Sequence, residues 1–135
     1  MHEPEGELAR GDRPPDVLRH DARLLERLDQ PEALWFGRQL AAHDIYWLEE
    51  PLASDDIAGH ARLAQRLAVP IAAGEHLIGR FEFLEYLRQG AAAVVQPDLP
   101  LTGGISEGLR IATLAEAHGA ALMVALERAF GEREA

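Results

Sequence analysis

The sequence predicts an α/β fold, a partial (β/α) barrel of about four parallel strands with flanking helices. Three observations carry that prediction. Short apolar runs alternate with helical segments from Asp29 to Val124. The runs are apolar on both faces, as strands of a covered parallel sheet are. An acid closes three successive runs at nearly one period: Glu49, Glu75 and Asp98 are separated by 26 and 23 residues, the length of one strand–loop–helix–loop unit. Each acid therefore falls at the C-terminal end of its strand, the edge that carries the active site in a barrel. An open doubly wound sheet competes and binds ligands at the same edge. It would normally show a Gly-rich phosphate loop after its first strand, and Gly103-Gly104 is too little to count as one.

Residues 1–28 read as an atypical charged head. Glu3, Glu5, Glu7, Asp12 and Asp16 alternate with Arg10, Arg13 and Arg19, and Pro14-Pro15 interrupts any helix. A mobile segment leading into a short helix, Val17 to Leu28, is the expectation. The barrel part spans residues 29–125. Asp29-Gln30-Pro31-Glu32 has an N-cap Asp, a first-turn Pro and a Glu three residues after the cap, so a helix should start there and run to about Ala42. The strand Ile45-Tyr46-Trp47-Leu48 stops near Glu50, because Pro51 cannot extend a central strand. Ser54-Asp55-Asp56 begins a second helix with acids in its first turn, running to about Leu67. Val69 to Ala73 is the next strand, closed by Gly74-Glu75. Phe81, Leu84 and Leu87 are spaced for one helix face, with Gly90 as the stop. Ala91 to Val95 is a strand closed by Gln96-Pro97-Asp98. Gly103-Gly104 turns the chain into a helix from about Ile105 to His118, and Ala120 to Val124 is the last strand. Residues 126–135 read as a short helical or frayed tail.

Composition narrows the function classes. At 135 residues the chain can bury one core, but a full barrel needs about 250. The net charge of −10 argues against a nucleic-acid surface. There is no cysteine, hence no disulfide and no thiolate metal site. There is no lysine either, so a mechanism needing a catalytic lysine cannot be completed by this chain. No apolar run approaches the roughly 20 residues of a membrane span, and no signal-peptide core follows Met1, so cytoplasm is the expected setting.

Acids on adjacent strand ends can converge on a hard divalent cation such as Mg²⁺, which takes carboxylates, waters and substrate oxygens. A single acid there is more often a solvated or capping group; recurrence with the unit period, flanked by Pro or Gly, favours the site. His76 follows Glu75 and could meet substrate, though a loop residue is the plainer role. His43, His60 and His118 fall on or near helices and are expected at the surface. Trp35, Phe36, Trp47, Phe81 and Phe83 are expected to pack helices on the sheet. Thr102 and Ser106 are read as helix-start caps, and Arg80 as an exposed first-turn residue.

The motifs add a resemblance. Ile45-Tyr46-Trp47-Leu48-Glu49-Glu50-Pro51-Leu52, Val69-Pro70-Ile71-Ala72-Ala73-Gly74-Glu75, and Val95-Gln96-Pro97-Asp98 followed by Gly103-Gly104 resemble, in that order, the mandelate racemase/muconate lactonizing branch of the enolase superfamily. The resemblance runs from about Asp29 to Val124. Gly74-Glu75-His76-Leu77 with Gly79-Arg80-Phe81-Glu82-Phe83 is similar to the sugar-acid dehydratases of that branch. It implies a (β/α)₇β barrel with a separate capping domain, one Mg²⁺ held by acids on the third, fourth and fifth barrel strands, and proton abstraction beside a substrate carboxylate to give an enediolate. Glu49 matches the fourth-strand ligand and Glu75 the fifth. Glu50 matches the neighbour of a ligand. Asp98 matches the sixth-strand acid, an acid/base group that pairs with histidine in racemase-like members.

The departures are specific. The nearest third-strand ligand is Asp21, 28 residues before Glu49, but Arg23 stands where Asn is usual. The seventh-strand histidine position is Ala125, and no His lies beyond His118. The eighth strand and capping domain are missing, so the chain reads as the middle of a barrel. Two expectations stay open. One is a Mg²⁺-dependent enzyme acting on a hydroxy- or sugar-acid carboxylate, a dehydratase first and a racemase or epimerase second. The other is an inactive fragment that binds metal weakly or self-associates through open sheet edges and apolar helix faces.

Overall fold

A computed structural model describes residues 28–124. The charged head with the helix expected from Val17, apart from Leu28, and the tail after Val124 therefore lie outside the described residues. The elements run α1 (Gln30–Leu40), β1 (Leu48–Glu49), α2 (Ile57–Arg66), β2 (Ile71–Ala73), α3 (Gly79–Arg88), β3 (Val94–Val95), α4 (Leu99–Thr102), α5 (Ile105–Ala117) and β4 (Ala121–Leu122). The four strands form one parallel sheet in chain order. The expected α/β partial barrel is what is observed.

Local chemistry accounts for the helix starts. Asp29 and Glu32 form a reciprocal capping box at α1, each side chain accepting the other's backbone N–H at 2.9 and 3.0 Å. Asp56 caps α2 by accepting the Gly59 N–H at 2.8 Å. The acids Asp55 and Asp56 thus precede that helix; none lies in its first turn. α3 begins at Gly79 and borrows acceptors: Glu82 takes the Ile78 N–H, and Glu107 of α5 takes the Arg80 N–H at 3.0 Å. Glu107 also pairs with the Arg80 and Arg110 guanidinium groups at 3.2 and 3.1 Å. The Arg80 N–H first, then the Arg110 side chain and the charges of both arginines, hold its carboxyl below the usual range despite some desolvation.

Alternation along the strands sorts side chains between two faces. Leu48 and Ile71 pack into one cluster with Ala33 of α1 and Leu63 of α2. Ala73 and Val95 pack into a second with Phe83, Tyr86 and Leu87 of α3 and Ile111 and Ala115 of α5. The helices therefore cover one face. The register partners Glu49, Ala72, Val94 and Ala121 share the opposite, inner face.

Three expectations are corrected. Phe81 is 76% exposed; Phe83 fills the core as expected and Tyr86 joins it, because the buried stripe of α3 faces the sheet through them. Thr102 and Ser106 do not cap α5. Gly104 is its N-cap, Thr102 ends the extra short helix α4 and donates to the Leu99 carbonyl at 3.3 Å, and Ser106 lies exposed within α5. His60 is 0% exposed.

Candidate functional site

The C-terminal strand ends gather the polar residues. Glu49 closes β1 on the inner face. Gln96, two residues past Val94, continues that face from β3. Its Nε2 donates to Glu49 Oε2 at 3.3 Å, and the Trp47 indole Nε1 donates to the same oxygen at 3.4 Å. Strands are about 4.8 Å apart, so the Gln96–Glu49 contact spans two spacings over β2. The residue beneath it is Ala72, whose methyl leaves the path open. Both donors are neutral and orient the carboxylate without cancelling its charge.

Glu75 follows β2 in a tight turn. Gly74 before it has φ 136°, and its carbonyl accepts the Leu77 N–H at 3.2 Å. A Cβ at Gly74 would lie 2.6 Å from Phe83 Cε1 and 2.9 Å from the Gln96 backbone N, so only glycine fits. Glu75 is half-buried and His76 exposed. Asp98 is buried at the N-cap position of α4, its carbonyl accepting the Thr102 N–H at 2.9 Å. Glu49, Glu75 and Asp98 thus end three neighbouring strands. Asp21 and Ala125 lie outside the described residues. Among the described residues no group of three His, Asp or Glu is placed to hold a metal ion. Glu49 and Glu75 are the candidate ligands there, hard oxygen donors from adjacent strands of the kind Mg²⁺ takes.

Two contributors were legible only in part. Trp47, expected as packing, also donates to Glu49. Gln96 carried no assigned role, although its period-2 spacing from Val94 marks it for the inner face.

Behind the strand ends lies a buried polar pair. Tyr86 of α3 donates to the Ser54 carbonyl at 2.5 Å, and its oxygen is 3.5 Å from His60 Nδ1. His60 Nδ1 is also 2.9 Å from the Asp56 carbonyl, so the ring proton sits on Nδ1. Burial pushes the Tyr86 phenol up, reinforced by the charges of Glu50, Asp56, Asp55 and Glu82. Burial lowers the His60 pKa below 6.5, opposed by the Asp56 carbonyl and carboxylate. The unfolded chain takes up this proton first as pH falls. The stability His60 contributes is therefore full above about pH 6.5 and is lost below it, by up to about 1.4 kcal/mol per pH unit. The urea midpoint of wild type should drop between about pH 7.5 and 5.5, and the drop should shrink in His60→Leu. Equal drops in both proteins would exclude His60 as the source.

Comparison with known proteins adds sequence and structural likeness. The family model described as "Enolase C-terminal domain-like" matches residues 9–129. A D-galactonate dehydratase of Ralstonia nicotianae is 43% identical over 96 residues, covering 71% of this chain and 25% of that protein. The crystal structure of L-talarate/galactarate dehydratase from Salmonella typhimurium LT2 aligns with TM-score 0.73 and 40% identity, over 77% of this chain and 27% of that one. L-talarate dehydratase from Polaromonas sp. JS666, complexed with Mg and L-glucarate, aligns with TM-score 0.72 and 39% identity, over 76% of this chain and 29% of that one. The chain spans about a quarter of the length of the curated relatives it matches. No helix among the described residues is long and apolar enough to cross a membrane.

Proposed function

This chain belongs to the enolase C-terminal domain-like family, and from that premise we propose that it serves a Mg²⁺-dependent dehydratase acting on a sugar-acid carboxylate. The observation that carries the reading is the placement of Glu49 and Glu75 at the ends of neighbouring parallel strands, with Asp98 on the next. Glu49 and Glu75 would hold one divalent ion, joined by Asp21. When bound, the cation would offset the negative charge that grows on the substrate carboxylate as its α-proton leaves. Gln96 and Trp47 hold the Glu49 carboxylate in one orientation. Asp98 accepts or returns a proton at its carboxylate. Dehydration then requires the neighbouring hydroxyl to leave after the α-proton, taking up a proton to depart as water while the C–H electron pair becomes the new carbon–carbon double bond; return of the proton to the other face would give the racemase or epimerase outcome. The barrel part is residues 29–125, between the charged head and the tail, in a cytoplasmic protein.

A second reading is a chain that holds the cation weakly, or self-associates, without turnover. Ala125, at the position where the resemblance expects histidine, favours it.

Calorimetric titration with Mg²⁺ tests the site. Glu49→Gln and Glu75→Gln should each lose at least about 100-fold in affinity, at or beyond the upper range seen for removing supporting residues around a metal. Wild-type affinity in both variants would sink the metal site. Proton NMR of galactonate or galactarate in D₂O then tests the chemistry. Loss of the α-proton signal with wild type, but not with Asp98→Asn, is the expected result. No exchange with wild type that binds Mg²⁺ would select the second reading.

A further inference from the structure

Glu50 is a charged residue in two costly circumstances. It is 4% exposed, and its φ of 40° lies in the left-handed region that a residue with a Cβ seldom occupies. The β1–β2 ladder shows what this conformation does. The Leu48 N–H donates to the Pro70 carbonyl at 2.8 Å and the Glu50 N–H to the Ala72 carbonyl at 2.9 Å. The next bond in a parallel ladder would run from the Gly74 N–H to the Glu50 carbonyl. Here the Glu50 carboxylate takes its place: the Gly74 N–H donates to Glu50 Oε1 at 2.8 Å. The Phe83 ring and the Gln96 backbone leave no room for a Cβ at Gly74, and the Gly74 carbonyl is held by the Leu77 N–H. The residue that follows Glu49 in the chain thus grips the residue that precedes Glu75.

We propose that Glu50 is a positioning residue that sets the placement of the Glu49 and Glu75 carboxylates relative to each other, acting through the Gly74 amide. The proposal deepens the metal site above and rests on that reading only for its metal readout.

Two variants separate this role from bulk or charge. Glu50→Gln keeps the length and an acceptor oxygen. Glu50→Asp keeps the charge and tolerates a positive φ better than Glu, but is shorter by about 1.5 Å and falls short of Gly74. Amide hydrogen exchange by NMR on the metal-free protein is the first readout. Glu50→Asp should speed exchange at Gly74 about tenfold or more and leave Leu63 and Ile111 in the core unchanged, while Glu50→Gln stays close to wild type. Mn²⁺ affinity by electron paramagnetic resonance is the second, expected to fall about tenfold in Glu50→Asp and little in Glu50→Gln, in the range typical of residues that support ligands. Unchanged Gly74 exchange in Glu50→Asp would overturn the proposal. Faster exchange with wild-type Mn²⁺ affinity would overturn it too, reducing Glu50 to a local cap. A wild-type protein that binds no Mn²⁺ would instead sink the metal reading, and exchange at Gly74 would still decide for or against Glu50.

Discussion

Gly74→Ala should destabilise the protein by roughly 3–5 kcal/mol, at the severe end for one methyl group. Two costs combine. A backbone at φ 136° is strained for any residue with a Cβ, by about 1–3 kcal/mol. The new methyl would also overlap Phe83 Cε1 at 2.6 Å and the Gln96 amide nitrogen at 2.9 Å. The ring could swing away, but the Gln96 N–H is bonded to the Ala73 carbonyl at 2.9 Å and cannot move without opening the β2–β3 ladder. A whole domain typically has only about 5–15 kcal/mol of stability, so the variant should unfold at much lower urea. A change under about 1 kcal/mol would mean that the turn before Glu75 relaxes easily.

Phe83→Ala is expected to cost about 3–5 kcal/mol, through lost burial and the cavity left behind. The side chain is 0% exposed and sits in the cluster joining β2 and β3 to α3 and α5. Because the ring also fills the space over Gly74, the two substitutions should couple. In a Gly74→Ala background the cavity would accept the new methyl, and the double variant should be more stable than the sum of the single effects by about 1 kcal/mol or more. Additivity within about 0.5 kcal/mol, read from urea midpoints of the four proteins, would show that the Phe83 contact is not what makes glycine necessary.

The contrast between these residues shows what a sequence discloses. The strand–helix alternation was readable because each unit carries its own punctuation: a capping box at Asp29 and Glu32, Pro51 past β1, glycines past α3 and α5. The strand-end placement of Glu49, Glu75 and Asp98 was readable too, since they recur at about one strand–helix unit. What could not be read were distances in space between residues far apart in the chain. Phe81 and Phe83 are equally apolar, and only the rotation of α3 against the sheet decides that Phe83 goes inside. His60 looked like a surface residue because the Tyr86 ring packed against it comes from another helix. The grip of Glu50 on Gly74, and of Gln96 on Glu49, depends on register between strands 24 and 47 residues apart.

The sheet lists its strands in the order the chain makes them. Among the described strands, each one after β1 pairs with the strand made just before it, so none of these pairings waits for a distant segment. On a ribosome such a chain can lengthen its sheet one unit at a time. The intermediate at each step differs from the next only in which strand stands at the growing edge. Glu49, at the end of the first described strand, would then be in place before its partners arrive: Glu75 next, and Gln96 one unit later.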